Sequence, residues 1–160
     1  MNQLDNKTDL VIGCVSDTHG MLRPQLLELF QGVDLIIHAG DIGSPEILNE
    51  LKKISRLVYV RGNMDYHGWA NNINNTEVAQ INSFSFYILH DIYNLDLDPV
   101  TSNFNGVIFG HTHKPFSEFK NGVLYVNPGS AGPPRSNCPV SAALLYINNN
   151  SIRPEFFELK

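Results

Sequence analysis

Five short apolar runs in this chain end the same way, on a side chain that can hold a metal ion. Leu10 to Val15 runs into Asp17 and His19, Leu35 to Ala39 into Asp41, and Leu57 to Val60 into Asn63. Further on, Phe84 to Leu89 runs into His90, and Gly106 to Phe109 into His111 and His113. Short apolar runs rich in β-branched residues read as buried strands. Two helical stretches separate the first three. Pro24 opens one, with Leu26, Leu27 and Phe30 at helical spacing and Gly32 as its stop. Ser44-Pro45-Glu46 opens the other with a cap, a proline and an acid in the first turn, followed by Ile47, Leu48, Leu51 and Ile54 on one face. Strand, helix, strand, helix, strand implies a parallel sheet with right-handed crossovers. Ligands of such sheets bind beyond the carboxyl ends of the strands. If the extended geometry continues past Val15, Asp17 and His19 point the same way.

The second half is mostly strand. Hairpins are predicted for 77–81 with 84–89 around Asn82-Ser83, for 116–120 with 123–126 around Asn121-Gly122, and for 142–147 with 152–159 around Asn148 to Asn150. The Asn-rich stretch Tyr66 to Thr76 reads as a long surface loop, with Trp69 alone among polar residues. Asp98-Pro99 can start a short helix through Phe104. The polar residues Met1 to Asp9 are expected to fray. Neither a repeat nor a linker divides residues 1–160, which are read as one domain.

Composition narrows the function classes. With 42% apolar and 17% charged residues the chain is globular. Lys+Arg 11 against Asp+Glu 16 gives a net charge of -5, which argues against a broad nucleic-acid surface but allows a small phosphate held by metal. Cys14 and Cys138 show no framework spacing and read as reduced thiols of a cytoplasmic protein. No secretory leader or membrane-spanning apolar run is read.

Carboxylates, imidazoles and an amide oxygen form a mixed ligand set suited to Mn, Fe, Ni or Zn. Asp17, His19, Asp41, Asn63, His90, His111 and His113 are too many for one tetrahedral ion. They suit two ions about 3.5–4 Å apart sharing a carboxylate, an arrangement that can clamp a phosphoryl group.

These motifs carry a resemblance. Ser16-Asp17-Thr18-His19, Gly40-Asp41, Gly62-Asn63-Met64-Asp65, His90 and Gly110-His111-Thr112-His113 resemble, in order, the motifs of the calcineurin-like metallophosphoesterases. The length and Asn127-Pro128-Gly129-Ser130 resemble the small YfcE-like branch. The resemblance runs from Val11 to about Ser141. It implies an α/β (α+β) fold, two packed mixed β-sheets flanked by helices in a four-layer sandwich. It implies one metal on Asp17, His19, Asp41 and His113, and a second on Asp41, Asn63, His90 and His111. Asp41 would bridge them with a hydroxide that attacks a phosphodiester, and Asp41, Asn63 and His90 form the catalytic core. Mn is the first choice of metal, with Ni, Fe or Zn as alternatives. Asp65 looks like a partner that orients a ligand histidine. Two positions depart from the pattern. Met64 stands where many members carry a histidine that assists the leaving group, so good leaving groups or a metal-bound water fit better here. Asp91-Ile92 follows His90 where the small branch continues with Gly and often His.

Other residues admit two readings each. His38 reads as a hydrogen-bonded core histidine rather than a ligand. His67 is either solvated or a replacement acid. Asp65 alternatively caps the turn after Asn63. Ser130 lies in a turn whose amides can face phosphate. Arg135 is an anion contact or an ordinary surface residue. Trp69 with Tyr66 can form a lid or a contact between copies of the chain. The competing function is a non-enzymatic scaffold on the same fold, like the retromer scaffold subunit.

Overall fold

The computed structural model describes residues 7–135 and 137–160. Its first strand, β1 (Asp9–Val15), shows why the opening run is apolar throughout. Leu10, Ile12 and Cys14 enter the core between two sheets, while Val15 joins the cluster under the helices. A strand covered on both faces needs no alternation. Of the stretch expected to fray, residues 1–6 lie outside the described residues, and Asp9 already pairs with Asn148.

The first sheet continues with β2 (Leu35–His38) and β3 (Leu57–Tyr59), both parallel, and is extended antiparallel by β9 (Ser141–Asn148) and β10 (Ser151–Glu158), in the order β10-β9-β1-β2-β3. Helices α1 (Pro24–Leu29) and α2 (Pro45–Lys52) make the crossovers. They bury Leu26, Ile47, Leu48 and Leu51 on the sheet's outer face. Phe30, just past α1, lies so close over Gly13 that a Cβ there would meet its ring at 2.8 Å.

The second sheet contains β4 (Thr76–Ile81), β5 (Phe84–Leu89), β6 (Gly106–Ile108), β7 (Phe116–Lys120) and β8 (Val123–Asn127), in the order β4-β5-β6-β8-β7. Strands β5, β6 and β8 are parallel, and β4 and β7 close the edges antiparallel. Asn121 and Gly122 both have positive φ (52° and 81°), as a two-residue hairpin requires. Each sheet thus has three parallel strands, at the centre of the second and toward one edge of the first. Phe86, Ile88, Ile108, Leu124 and Val126 of the second sheet meet Ile12, Cys14, Leu35 and Ile37 of the first in a shared core.

Three local expectations are corrected. No helix spans 98–104. The Asp98 carboxylate accepts from Val100 N–H and the segment closes as successive turns. The outer face of the second sheet is covered instead by Leu95, Leu97, Phe104 and the 3-10 turn Ile92–Asn94. The fourth layer is therefore irregular rather than helical. Within the 66–76 loop a 3-10 turn, Gly68–Ala70, seats Trp69 against the cluster under the helices. Trp69 is no lid; of the two aromatics only Tyr66 is exposed, at 66%.

Candidate metal centre

Three parallel strands in each sheet deliver their carboxyl ends to the same end of the molecule. The residues that follow β1, β2 and β3 are Asp17 with His19, Asp41, and Asn63; those that follow β5 and β6 are His90, and His111 with His113. Strand alternation does not aim them, contrary to the simple expectation. Asp17, His19, Asp41, His111 and His113 all take left-handed backbone conformations, with φ from 47° to 72°. Such conformations cost roughly 1–2 kcal/mol per non-glycine residue and persist only where surroundings hold them. Here backbone hydrogen bonds do so: Asp17 N–H donates to Gly40 C=O (2.9 Å), His19 N–H to Asp41 C=O (3.0 Å) and Gly20 N–H to Ile42 C=O (2.8 Å). The β1 and β2 loops are zipped together beyond the strands.

Each buried polar side chain here is tied by one atom and free at another. Asp17 Oδ2 accepts from Ser16 Oγ–H (2.6 Å) and His111 N–H (3.1 Å), leaving Oδ1 free. Asp41 Oδ1 accepts from Met64 N–H (2.8 Å), leaving Oδ2 to face His90 and His19. His90 Nδ1 donates to Ala39 C=O (2.7 Å), so Nε2 carries the lone pair. The free atoms converge. His113 Nε2 is 3.2 Å from Asp17 Oδ1, and His90 Nε2 is 3.3 Å from Asp41 Oδ2 and 3.8 Å from Asp17 Oδ1. His19 Nε2 is 3.8 Å from Asp41 Oδ2 and 3.9 Å from Asp17 Oδ1. Two overlapping groups result, Asp17 with His19 and His113, and Asp17 with Asp41 and His90.

Asp17 Oδ1, His19 Nε2, His90 Nε2 and His113 Nδ1 are buried without a hydrogen-bond partner among the described residues. An unsatisfied buried polar atom costs roughly 1–3 kcal/mol. A divalent cation answers Asp17 Oδ1 with His19 Nε2 and His90 Nε2, and meets His113 through the Nε2 that faces Asp17, so the residues fit one. Electrostatics agree. Burial alone would push His90 down, but the Asp41 carboxylate 3.3 Å away and the charge of Asp17 hold its imidazole above the ordinary value. Burial would raise Asp41, yet the His90 imidazole beside it brings its carboxyl below the usual range. Both shifts show a pocket that favours positive charge.

His111 and Asn63 stand apart. Both are exposed, and His111 Nδ1 lies 3.1 Å from Asn63 Oδ1. They line a cleft of about 570 Å³ together with His90, Arg61, Asp91 and Asp96. Glycine precedes both. A Cβ on Gly62 would collide with Asp41 Oδ1, and one on Gly110 with Ser16 Oγ and Asp17 Oδ2.

Several residues expected near substrate do other work. Asp65 orients no histidine. Its carboxylate accepts from Gly62 N–H, Ile42 N–H and Gly43 N–H, each at 3.0 Å, and so pins the β2 and β3 loops together. Ser130 Oγ donates to Asp17 C=O (3.0 Å). The amides of its turn are consumed rather than offered to phosphate: Gly129 N–H by Asn127 Oδ1, Ala131 N–H by Ser16 C=O, and Gly132 N–H by Ser130 Oγ. His67 is exposed, stacks on Tyr66 and does not line the cleft. Arg135 is exposed, in a bridge with Cys138.

His38 is a core histidine. Its Nδ1 accepts from Gly40 N–H (3.2 Å), so Nε2–H donates to Thr18 Oγ1 (2.9 Å), which donates to Ile42 C=O (2.7 Å). Burial pushes its pKa down to about 4. Asn127 was missed. At the end of β8 its Nδ2 donates to Gly110 C=O (2.9 Å) and Thr112 Oγ1 (3.0 Å), holding the loop that carries His111 and His113. It ends an apolar run, Val123 to Val126, as the candidate ligands do, and that signal was there to be read.

Known proteins are similar to this chain in sequence and in fold. The family model of the calcineurin-like phosphoesterase superfamily domain matches residues 10–150. A probable metallophosphoesterase of Methanocaldococcus jannaschii is 36% identical, over 84% of this chain and 74% of its own. Vacuolar protein sorting 29 of Cryptosporidium parvum has the same fold, with a TM-score of 0.81 at 22% identity, over 96% of this chain and 93% of its own. The Yfce phosphoesterase of E. coli also shares the fold, with a TM-score of 0.68 at 21% identity, over 94% of this chain and 100% of its own. Strand ends, donor atoms and relatives agree: the chain belongs to the calcineurin-like phosphoesterase superfamily.

Proposed function

We propose that this protein is a dinuclear metal-dependent phosphoesterase that acts on phosphodiesters. The observation that carries the reading is the set of buried, unpartnered atoms Asp17 Oδ1, His19 Nε2 and His90 Nε2, with His113 Nε2 beside them, gathered from both sheets around two carboxylates. Asp17, His19, Asp41 and His113 would hold one ion, and Asp41, Asn63, His90 and His111 the other. The second set draws support from the 3.3 Å approach of His90 to Asp41 and the 3.1 Å approach of His111 to Asn63. Bound divalent ions supply a Lewis acid for phosphoryl oxygens and lower the pKa of coordinated water. Mn suits the mixed oxygen and nitrogen donors, with Ni, Fe or Zn as alternatives.

The chain's own residues then set orientation and charge. Asp41 presents one oxygen toward both histidine groups while Met64 N–H fixes the other. Arg61 is the single cationic side chain among the described residues lining the cleft, and Asp91 and Asp96 face it with negative charge. That balance favours a singly charged diester over a dianionic monoester. The side chain after Asn63 is Met64, which gives no proton, so esters with good leaving groups turn over fastest. The free thiols Cys14 and Cys138 suit a reducing compartment, and we place the reaction in the cytoplasm. Among the described residues no helix is long and apolar enough to cross a membrane.

A second reading, a protein-binding module, rests on exposed apolar side chains on and beside the second sheet, Tyr93 at 90%, Phe119 at 57% and Phe116 at 43%. Metal-stripped protein reloaded with Mn, Ni, Fe or Zn, and offered an aryl phosphodiester and the matching monoester, separates the two. An enzyme shows metal-dependent diester turnover that falls in Asp41→Asn by about a thousandfold, several kcal/mol of lost charge stabilisation. Bound metal with no turnover, or an Asp41→Asn variant as active as wild type, sinks the enzymatic reading.

A further inference from the structure

His111 differs from the other candidate ligands in having side chains on both of its ring nitrogens. Nδ1 faces Asn63 Oδ1 at 3.1 Å, and Nε2 faces Asp91 Oδ2 at 3.7 Å. The Asp91 carboxylate is held in place from its other end, because Oδ1 accepts from Tyr93 N–H (3.1 Å) at the start of the 3-10 turn Ile92–Asn94. One oxygen is tied to the backbone and one is left for His111. His90 shows the closed form of such a pairing, its Nδ1–H taken by Ala39 C=O at 2.7 Å so that Nε2 is left with a lone pair, whereas Asp91 Oδ2 stands one step further from His111 at 3.7 Å. We infer that Asp91 is the positioning residue for His111: it takes the Nε2–H and so leaves Nδ1 and Asn63 Oδ1 as two lone-pair donors for one cation. Such a carboxylate fixes both tautomer and ring orientation and raises ligand basicity. Without a cation the 3.1 Å approach is a hydrogen bond from Nδ1–H to Asn63 Oδ1. A cation between the two atoms replaces that proton, and the ring then carries its proton on Nε2, the nitrogen that faces Asp91. Asp65, which also lines the cleft, cannot serve, since both its oxygens are occupied by backbone amides.

The inference rests on the dinuclear reading, and its test separates the two. Metal-stripped full-length protein is titrated with Mn²⁺ by calorimetry, for wild type, Asp91→Asn, Asp91→Ala and His111→Ala, with thermal unfolding recorded for each. Wild type is expected to bind two ions. Asp91→Asn should keep the first site and weaken the second by about 10–100-fold. The Asn variant discriminates, because its amide oxygen can still accept from Tyr93 N–H and preserve the turn. Its NH₂ then faces His111 and demands the wrong tautomer. Asp91→Asn is therefore expected to unfold at a higher temperature than Asp91→Ala and yet to bind the second ion no better. A purely structural role predicts the reverse, with Asn milder than Ala in binding. That result, or a second-site affinity in Asp91→Asn equal to wild type, overturns the inference. A His111→Ala variant that still binds two ions overturns it too. A wild type that binds a single ion overturns the dinuclear reading first, and the inference falls with it.

Discussion

The two halves of the candidate centre are held in different ways. Around Asp17, Asp41, His19, His90 and His113 the scaffold does the aiming: backbone zips two loops together, each carboxylate has one oxygen fixed, and four of the five residues are buried. Around His111 and Asn63 side chains aim one another, both residues are exposed, and the restraint comes from Asp91. Backbone restraint survives most single substitutions. Side-chain restraint is lost with one residue. On the dinuclear reading the first site is thus preformed, and the second, which takes Asp41 and His90 from the scaffold but Asn63 and His111 from the cleft, is adjustable and open where a phosphoester would enter.

The largest expected effect breaks this comparison directly. Replacing His113, 5% exposed and 3.2 Å from Asp17, by Ala leaves a buried carboxylate oxygen with no cation to answer it. Diester turnover should fall about a thousandfold, and the tighter of the two metal sites should be lost. His111→Ala should cost about 10–100-fold and spare the tighter site. Calorimetry beside kcat/KM reads both quantities. Equal losses in the two variants would show that the halves are equivalent in function despite their different construction.

A smaller effect belongs to the buried half alone. His38, wholly buried and neutral, links Thr18 in the β1 loop to Gly40 in the β2 loop. Burial lowers its pKa from the ordinary 6.5 to about 4. The unfolded chain therefore binds the extra proton between those values, and the native state is penalised as the pH falls. The contribution is intact above about 6.5, is lost on the way down to about 4, and totals about 3 kcal/mol. Chemical denaturation of wild type and His38→Gln at several pH values checks it. The wild type should lose about 3 kcal/mol more than the variant across that window. Parallel pH profiles would mean that His38 is charged when folded, and the tautomer chain through Thr18 would be wrong.

Much of the sheet architecture was legible because parallel strands buried on both faces are apolar along their whole length. The polar residue that ends each one marks the end of the sheet where ligands gather. The local conformation at those ends was not. Nothing in Ser-Asp-Thr-His announces two left-handed residues, since Asp and His carry no glycine-like signature, and tertiary hydrogen bonds impose the strain. Asp65 was misjudged for a related reason. A carboxylate near metal-capable residues suggests a partner for histidine, yet here three backbone amides of irregular loops claim it. Such amides carry no sequence identity. The 98–104 segment failed as a helix although Asp98 accepts from Val100 N–H as a cap would, because Asn103 turns left-handed and too few residues precede it to repay helix nucleation.

The smallest effect tests whether the loop carrying His111 and His113 is held from outside the metal groups. Asn127 alone spans that loop and the turn behind it, donating to Gly110 C=O and Thr112 Oγ1 and accepting from Gly129 N–H. Asn127→Ala removes three hydrogen bonds and leaves the buried Gly129 N–H unsatisfied, while Gly110 C=O keeps Thr112 N–H, at a cost of about 1–2 kcal/mol in stability. His113 should be little disturbed, because Gly110 N–H still donates to His90 C=O and His111 N–H to Asp17. The looser residue, His111, should lose most. Unfolding free energy, paired with the affinities of the two metal sites, reads the result: a modest fall in stability with the second site weakened more than the first. If both sites weaken alike, the loop moves as one body, and the division into a preformed and an adjustable half does not extend to the segment that connects them.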